Sequence, residues 1–250
     1  QALDPTETIT ADVSDVESGS ATRRKRVKIS EVAAPSNTID VVSNDDIINA
    51  VEDDSDVTIS GTTTGAEDGQ TVTVTLNGQT YTTTVTGGVW SLDIPAVDAQ
   101  SLDATETITA DVSDLAGNPA TQATRDIEHD DTAPTITIDV VSNDDIINAL
   151  EDDSDVTISG TTTGAEDGQT VTVVLNGETY TTTVTGGVWS LDVPATDAQA
   201  LDPTETITAD VSDFAGNPAT QANHDIIHDV TPPTITIGVR SPRWSSLICL

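Results

Sequence analysis

Sulfur-bearing and aromatic residues are almost missing from this chain. Among 250 residues there is one Cys and no Met, so no disulfide within the chain can brace it. Aromatics amount to 2%, which leaves a thin Val/Ile/Thr core possible but puts a broad Phe- and Leu-rich enzyme core out of reach. Positive charge is equally scarce, with 8 Lys plus Arg against 43 Asp plus Glu and a formal net charge of −35. A surface of that sign repels DNA, RNA and anionic lipid heads, which excludes the polyanion-binding classes. No run of about 18 apolar residues occurs, so no helical membrane span is expected. Gln1 is not followed by a charged and then apolar leader, so the chain reads as an internal piece of something longer.

What is present is repetition. TIDVVSNDDIINA at Thr38 recurs at Thr137, 99 residues on, and a third copy starting at Thr236 dissolves at once. The same spacing links LDPTETITADVSD at Leu3, LDATETITADVSD at Leu102 and LDPTETITADVSD at Leu201. A period of that length is too long for helical or propeller repeats and fits one small domain per period. The expected organisation is the C-terminal part of a preceding module over 1–30, complete modules at 35–131 and 134–230, and a truncated start of another with an off-pattern tail over 231–250. From Asp131 to Asp229 there are 19 acidic residues and no Lys or Arg, so the repeated unit itself carries the negative charge. Five of the eight basic residues, Arg23, Arg24, Lys25, Arg26 and Lys28, lie where the other copies read QATRDI and QANHDI. Local divergence of a terminal strand or an error in repetitive sequence accounts for them more simply than a nuclear-localisation or heparin patch. The tail GVRSPRWSSLICL, with Trp244 and Cys249, departs from the repeat in the same way.

Inside one period, TVTVVLNGETYTTTV alternates apolar and polar residues on both sides of Asn176-Gly177, the strongest short-range hairpin signal because both residues tolerate positive φ. Alternation places Val171, Val173 and Leu175 inward, then Tyr180, Thr182 and Val184, then Trp189, Leu191 and Val193. One Trp per module, Trp90 and Trp189, reads as the core anchor, with carbohydrate stacking as the competing role. With TITIDVV, DVTISG, TETITADVSD and a strand through His224 and Ile226, each module has about seven short strands and no helix. The expected fold is all-β: tandem immunoglobulin-like β-sandwiches without disulfides.

Several motifs in fixed order, TAPTITIDVVSNDDIINA, VTISGTTTGAEDGQTVTVVLNG, TYTTTVTGGVWSLDVPA and VSDLAGN, resemble the bacterial Ig-like repeats of giant surface adhesins and biofilm-associated proteins. The resemblance covers nearly everything except 16–37 and 239–250. It implies a non-enzymatic extender, or spacer, at the bacterial cell surface that holds an adhesive tip away from the cell and supports adhesion or biofilm formation. It also implies calcium near the junctions between modules. The implied partners are neighbouring repeats of the same chain and a distal adhesive domain of the parent protein, with no nucleic acid, no membrane insertion and a monomeric state.

If strands simply alternate in direction, the turn at Asn44, Asp45 and Asp46 and the loop with Asp98 and Asp103 fall at one end of a module. Asp167, Asp213 and Asn217 fall at the opposite end of the next, and Asp130 and Asp131 lie in the linker. Calcium takes six to eight oxygens, so these carboxylates and amides could supply a composite shell and have their mutual repulsion cancelled by the ion. The candidate metal residues are therefore Asp130, Asp131, Asp45, Asp46, Asp103, Asp167, Asp213 and Asn217. No EF-hand pattern and no glycine-rich nonapeptide occurs. No catalytic residues are expected, because the repeat lacks a nucleophile motif, GxSxG or HExxH. His129, His224 and His228 are expected to be solvated among the acids. The alternative function is an Ig-like module that binds a ligand or carbohydrate through its loop ends.

Overall fold

The structure, a computed structural model, describes residues 33–238. The basic cluster at 23–28, the partial module over 1–30 and the tail from 239, with Trp244 and Cys249, lie outside the described residues. The chain divides between Ala133 and Pro134 into two compact units.

In the first unit the order is β1 (Ser36–Asn37), β2 (Ile47–Asn49), β3 (Val57–Thr64), β4 (Thr71–Leu76), β5 (Gln79–Thr84), β6 (Val89–Ile94), α1 (Ala96–Ala99), β7 (Thr105–Val112) and β8 (Ala123–Asp130). The strands form a three-stranded sheet, β1-β3-β6, and a five-stranded one, β2-β8-β7-β4-β5. The second unit repeats this with β9 (Thr135–Ile136), β10 (Ile146–Asn148), β11 (Val156–Thr163), β12 (Thr170–Leu175), β13 (Glu178–Thr183), β14 (Val188–Val193), α2 (Ala195–Ala198), β15 (Thr204–Asp210) and β16 (Ala222–Asp229). Its sheets are β14-β11-β9 and β10-β16-β15-β12-β13. Each unit is thus an immunoglobulin-like β-sandwich, as the strand pattern predicts.

Alternation is what builds the core. In β12 every second residue, Val171, Val173 and Leu175, is 2% exposed or less, and Thr172 and Val174 between them are half-buried on the other face. Val184, Trp189 and Val193 join them, whereas Tyr180, Thr182 and Leu191 are half-buried. Trp90 and Trp189 are each 2% exposed. Each indole packs over a glycine of the facing strand: a Cβ on Gly61 would meet the Thr38 carbonyl oxygen and the Trp90 ring, and one on Gly160 the Thr137 carbonyl and Trp189. Only a residue without a side chain lets strand and ring approach so closely.

Two details differ from the sequence expectation. TITIDVV, expected as one strand, pairs only over its first part, and the chain then changes sheets. Its first half continues the β1–β3 ladder through Thr38 N–H to Thr62 O and Asp40 N–H to Ser60 O. A tight turn at Val42–Asp46 follows, with Ser43, Asn44 and Asp46 at φ of 50, 78 and 69°. β2 then joins the other sheet parallel to β8, with Ile47 opposite Glu128. The second difference is helical: α1 and α2 are single turns of four residues after Pro95 and Pro194. Such a turn is too short to show a 3.6-residue period, so an expectation of no helix could not register it.

Candidate functional site

The pairing directions define two ends in each unit. In the first, β8 runs toward the linker, so the end beside residues 131–133 gathers the Asn49–Asp56 turn, the Asn77-Gly78 hairpin turn and the loop from α1 to Asp103. The far end gathers Glu67 and Asp68, the Gly87-Gly88 turn and Asp114 to Asn118.

Among the candidate metal residues, Asp130 and Asp131 line one open hollow at the linker end, together with Glu128 and His129. One Asp130 carboxylate oxygen accepts the Thr132 N–H at 3.0 Å, and Asp131 is exposed and accepts the Thr132 hydroxyl at 3.4 Å. Asp103 is exposed at the same end, its N–H directed to Glu106 at 3.4 Å. In the second unit, Asp167 accepts the Gly186 N–H at 2.6 Å, so it closes the far-end turn. Neighbouring Glu166 accepts the Phe214 N–H at 2.7 Å and ties that turn to the loop of Asp213 and Asn217, both buried. At the equivalent positions of the first unit, Asp114 accepts the Asn118 N–H at 2.7 Å and its side-chain amide at 2.6 Å. Those bonds from Asn118 hold the Asp114 carboxyl below its ordinary range. Among the described residues, no group of three or more His, Cys, Asp or Glu is arranged to hold a metal.

Asp45 and Asp46 do not reach the linker end. Because the chain changes sheets between β1 and β2, their turn lies on the flank, level with the middle of β8. Asp45 accepts the Ile47 N–H at 3.0 Å. Asp46 accepts the Val42 N–H at 3.0 Å, and both its oxygens take the Arg125 guanidinium, through Nε and through Nη2 at 2.6 Å. Arg125 also donates to the Ile39 carbonyl at 3.1 Å. The guanidinium bond is the main reason the Asp46 carboxyl lies below its ordinary range, and it raises Arg125 in turn.

The same flank holds the groups that sequence reasoning missed. The histidines are not solvated loop residues. His129, at the end of β8, has a side chain 6% exposed, with Nδ1 3.0 Å from the Leu102 carbonyl and Nε2 3.0 Å from Asp53. In the second unit His228 stands between Leu201 and Asp152 in the same way, and His224 replaces Arg125, its Nε2 2.7 Å from Asp145. The signal was present: His129 and His228 sit one period apart, as do Arg125 and His224, all on the inward-facing positions of β8 and β16.

Trp90 and Trp189 being core residues, neither of these two offers a face to a sugar ring. No helix among the described residues is long and apolar enough to cross a membrane. Two tandem immunoglobulin-like sandwiches, acidic and joined by a short linker, define the class of the protein. No protein-family description matches the chain, and no curated protein does. Among solved structures, a Ca2+-stabilized adhesin that helps an Antarctic bacterium reach out and bind ice is 39% identical, with 80% of this chain and 50% of that one covered and a TM-score of 0.52. The chain thus spans about half the length of that structure. A bacterial immunoglobulin-like domain from the M. primoryensis ice-binding adhesin is 42% identical over 40% of this chain and 99% of that one, with a TM-score of 0.33. Fibronectin(III)-like modules of Clostridium thermocellum CbhA are 11% identical over 81% of this chain and 100% of that one, with a TM-score of 0.51, which shows the sandwich fold alone. The chain belongs to the bacterial Ig-like tandem repeats of large surface adhesins.

Proposed function

We propose that this chain is a non-enzymatic spacer segment of a bacterial cell-surface adhesin, stiffened by calcium where one module meets the next. The observation that carries the spacer reading is near-identity of two disulfide-free sandwiches in fixed register, alongside 39% identity to an adhesin that reaches out from a bacterium. Repetition of one module multiplies length, and it does not create a cleft. The wider role, extracellular and in support of adhesion or biofilm formation, follows from the same kinship, with the distal adhesive domain as the other partner.

Calcium is supported by donor chemistry and by the relative described as Ca2+-stabilized. Asp103, Asp130 and Asp131 at the linker end of the first module, with Asp167, Asp213 and Asn217 at the far end of the second, are all hard oxygen donors of the kind calcium selects. Asp46 is committed to Arg125 and Asp45 lies beside it on the flank, so these two are left out of the proposed set. A bound ion would offset the repulsion among clustered carboxylates. The affinity expected is on the order of 10⁻⁴ to 10⁻³ M, as for other extracellular calcium modules. Small-angle scattering of residues 35–230 with millimolar calcium and then with chelator tests this, alongside a thermal melt. A shorter or broader particle and a lower melting temperature after chelation support it; identical profiles and melts would leave the acids as a solubilising surface.

A further inference from the structure

The inward-facing positions of β16 carry two histidines that bracket the short parallel strand β10. Asp145 immediately precedes β10 and Asp152 follows it by four residues. His224 Nε2 lies 2.7 Å from Asp145 Oδ1, and His228 Nε2 lies 3.1 Å from Asp152 Oδ2. Between these contacts β10 pairs along one side alone, through three residues with β16, and sends Ile147 into the core. Its 142–145 turn also contains three residues at positive φ, Ser142, Asn143 and Asp145. That conformation costs free energy for residues other than glycine and persists only where other contacts enforce it.

We propose that the flank of the second module, residues 142–152, is a latch closed by protons on His224 and His228, and that it opens as those rings lose them. His228 shows the reason most directly. Its Nδ1 is 2.9 Å from the Leu201 carbonyl, which can only accept, and its Nε2 faces the Asp152 carboxylate. With Asp152 ionised, only a ring protonated on both nitrogens donates to both partners; a neutral ring surrenders one. His224 can keep its bond to Asp145 when neutral but loses the charge that strengthens it. His224 holds the Asp145 carboxyl below its ordinary range. The contribution of that carboxylate is therefore complete above the ordinary Asp range and lost as pH falls through its lowered value. On the alkaline side the limit is deprotonation of the imidazoles, the one side-chain type that ordinarily changes charge between about pH 5 and 8.

The other charged groups nearby do not take over this task. Asp144 accepts the Ile146 N–H, Asp225 points to the opposite face of β16 and accepts the Thr206 hydroxyl, and Asp229 accepts the Thr231 N–H. Asp139, equivalent to the Asp40 that attracts Arg125, accepts the Ser159 hydroxyl, and Glu205 accepts the Asp202 N–H at 3.1 Å. All carry negative charge, and the chain has no Lys or Arg between Arg125 and Arg240. The first module isolates the part played by His224: His129 stands between Leu102 and Asp53 as His228 does between Leu201 and Asp152, but where His224 stands it has Arg125, whose charge does not titrate in the physiological range.

Hydrogen exchange of the full chain, read by mass spectrometry in chelator and corrected for the intrinsic pH dependence of exchange, tests the latch. As pH rises from about 5 to 8, opening of the 142–152 peptide should increase about fivefold more than opening of the 43–53 peptide. His224→Arg should make 142–152 respond like 43–53, and the reciprocal Arg125→His should make 43–53 respond like 142–152. Histidine ring NMR resonances of the wild-type chain provide a readout independent of either variant: the His224 and His228 titrations should coincide with the opening of 142–152. Equal responses of the two peptides in the wild type, an unchanged response of 142–152 in a folded His224→Arg chain, or titrations displaced from the opening would each overturn the proposal.

Discussion

At the residue scale, the two modules test each other, because a few substitutions sit in otherwise identical surroundings. Trp90 donates its indole N–H to the Asn37 side-chain oxygen at 3.0 Å, and the Asn37 amide donates to the Ala110 carbonyl at 3.0 Å. The second module has Ile136 in place of Asn37, and the Trp189 indole nitrogen has no partner among the described residues. The Thr63 hydroxyl donates to the Ser36 carbonyl at 2.6 Å, whereas its counterpart in Thr162 is also unpaired. An unmet buried donor costs about 1–3 kcal/mol. Asn37→Ala should accordingly destabilise the first module by about that amount in chemical denaturation. The check is the Trp90 emission transition in a background with both Trp189→Phe and Trp244→Phe; an unchanged midpoint would show that the bond contributes nothing net.

Tyrosine supplies a second residue-scale prediction with a defined sign. Burial, followed by the bond from each hydroxyl to Asp98 or Asp197 at 2.8 and 2.9 Å, pushes Tyr81 and Tyr180 up to about 12. A phenol raised in this way stabilises the fold fully below its ordinary value near 10, and the contribution disappears as pH rises through about 12. Tyrosinate absorbance should therefore be a minor fraction in the folded chain at pH 11, where free tyrosine is mostly ionised, and rise steeply near 12. Asp98→Asn should move the Tyr81 part of that titration downward, because the negative charge that opposes ionisation is gone.

At the element scale, glycine has two separate jobs, and substitution tells them apart. Gly78, in the β4–β5 hairpin turn, has φ of +70° and open space where a methyl group would stand, with nothing within 4 Å of it, so Gly78→Ala should cost only the left-handed penalty, about 1–2 kcal/mol. Gly61 has ordinary backbone but no room, since the Thr38 carbonyl and the Trp90 ring already occupy the place of a side chain. Gly61→Ala should cost about 3 kcal/mol or more, and the displaced ring should change its near-ultraviolet circular dichroism. A smaller loss for Gly61→Ala than for Gly78→Ala would show that the β1–β3 edge yields easily. β2 and β10 illustrate a different element-scale point. At three residues each, neither is long enough to be specified by its own pattern, and both are held by the parallel partner and by the side chains on either side of them.

At the scale of the whole molecule, charge and repetition set the behaviour. Each module must fold without disulfides and with strongly like-charged neighbours in the chain. Added salt should therefore raise the melting temperature in chelator, where no ion offsets the repulsion, by screening the surface acids. Replacing both Asp130 and Asp131 by Ala should leave each module folded while increasing the freedom of one module relative to the other. Residual dipolar couplings measure that freedom, and unchanged interdomain order in the double variant would count against a role for the linker acids.

The sequence by itself was enough for the sandwich class, the period, the inward-facing Val171, Val173 and Leu175 and the buried tryptophans. All of these follow from alternation and self-similarity, which are properties of consecutive residues. Tertiary structure alone decided where the chain changes sheets. The pairing of β2 with β8 joins residues about 80 positions apart, and no local pattern encodes it. That change of sheet carried Asp45 and Asp46 away from the module end and onto Arg125. It likewise brought His129 and His228 to the buried carboxylates of Asp53 and Asp152 and His224 to the half-buried Asp145, where composition alone leaves them in water. Strand periodicity specifies which way a side chain points, but what it meets there depends on which strand lies beside it.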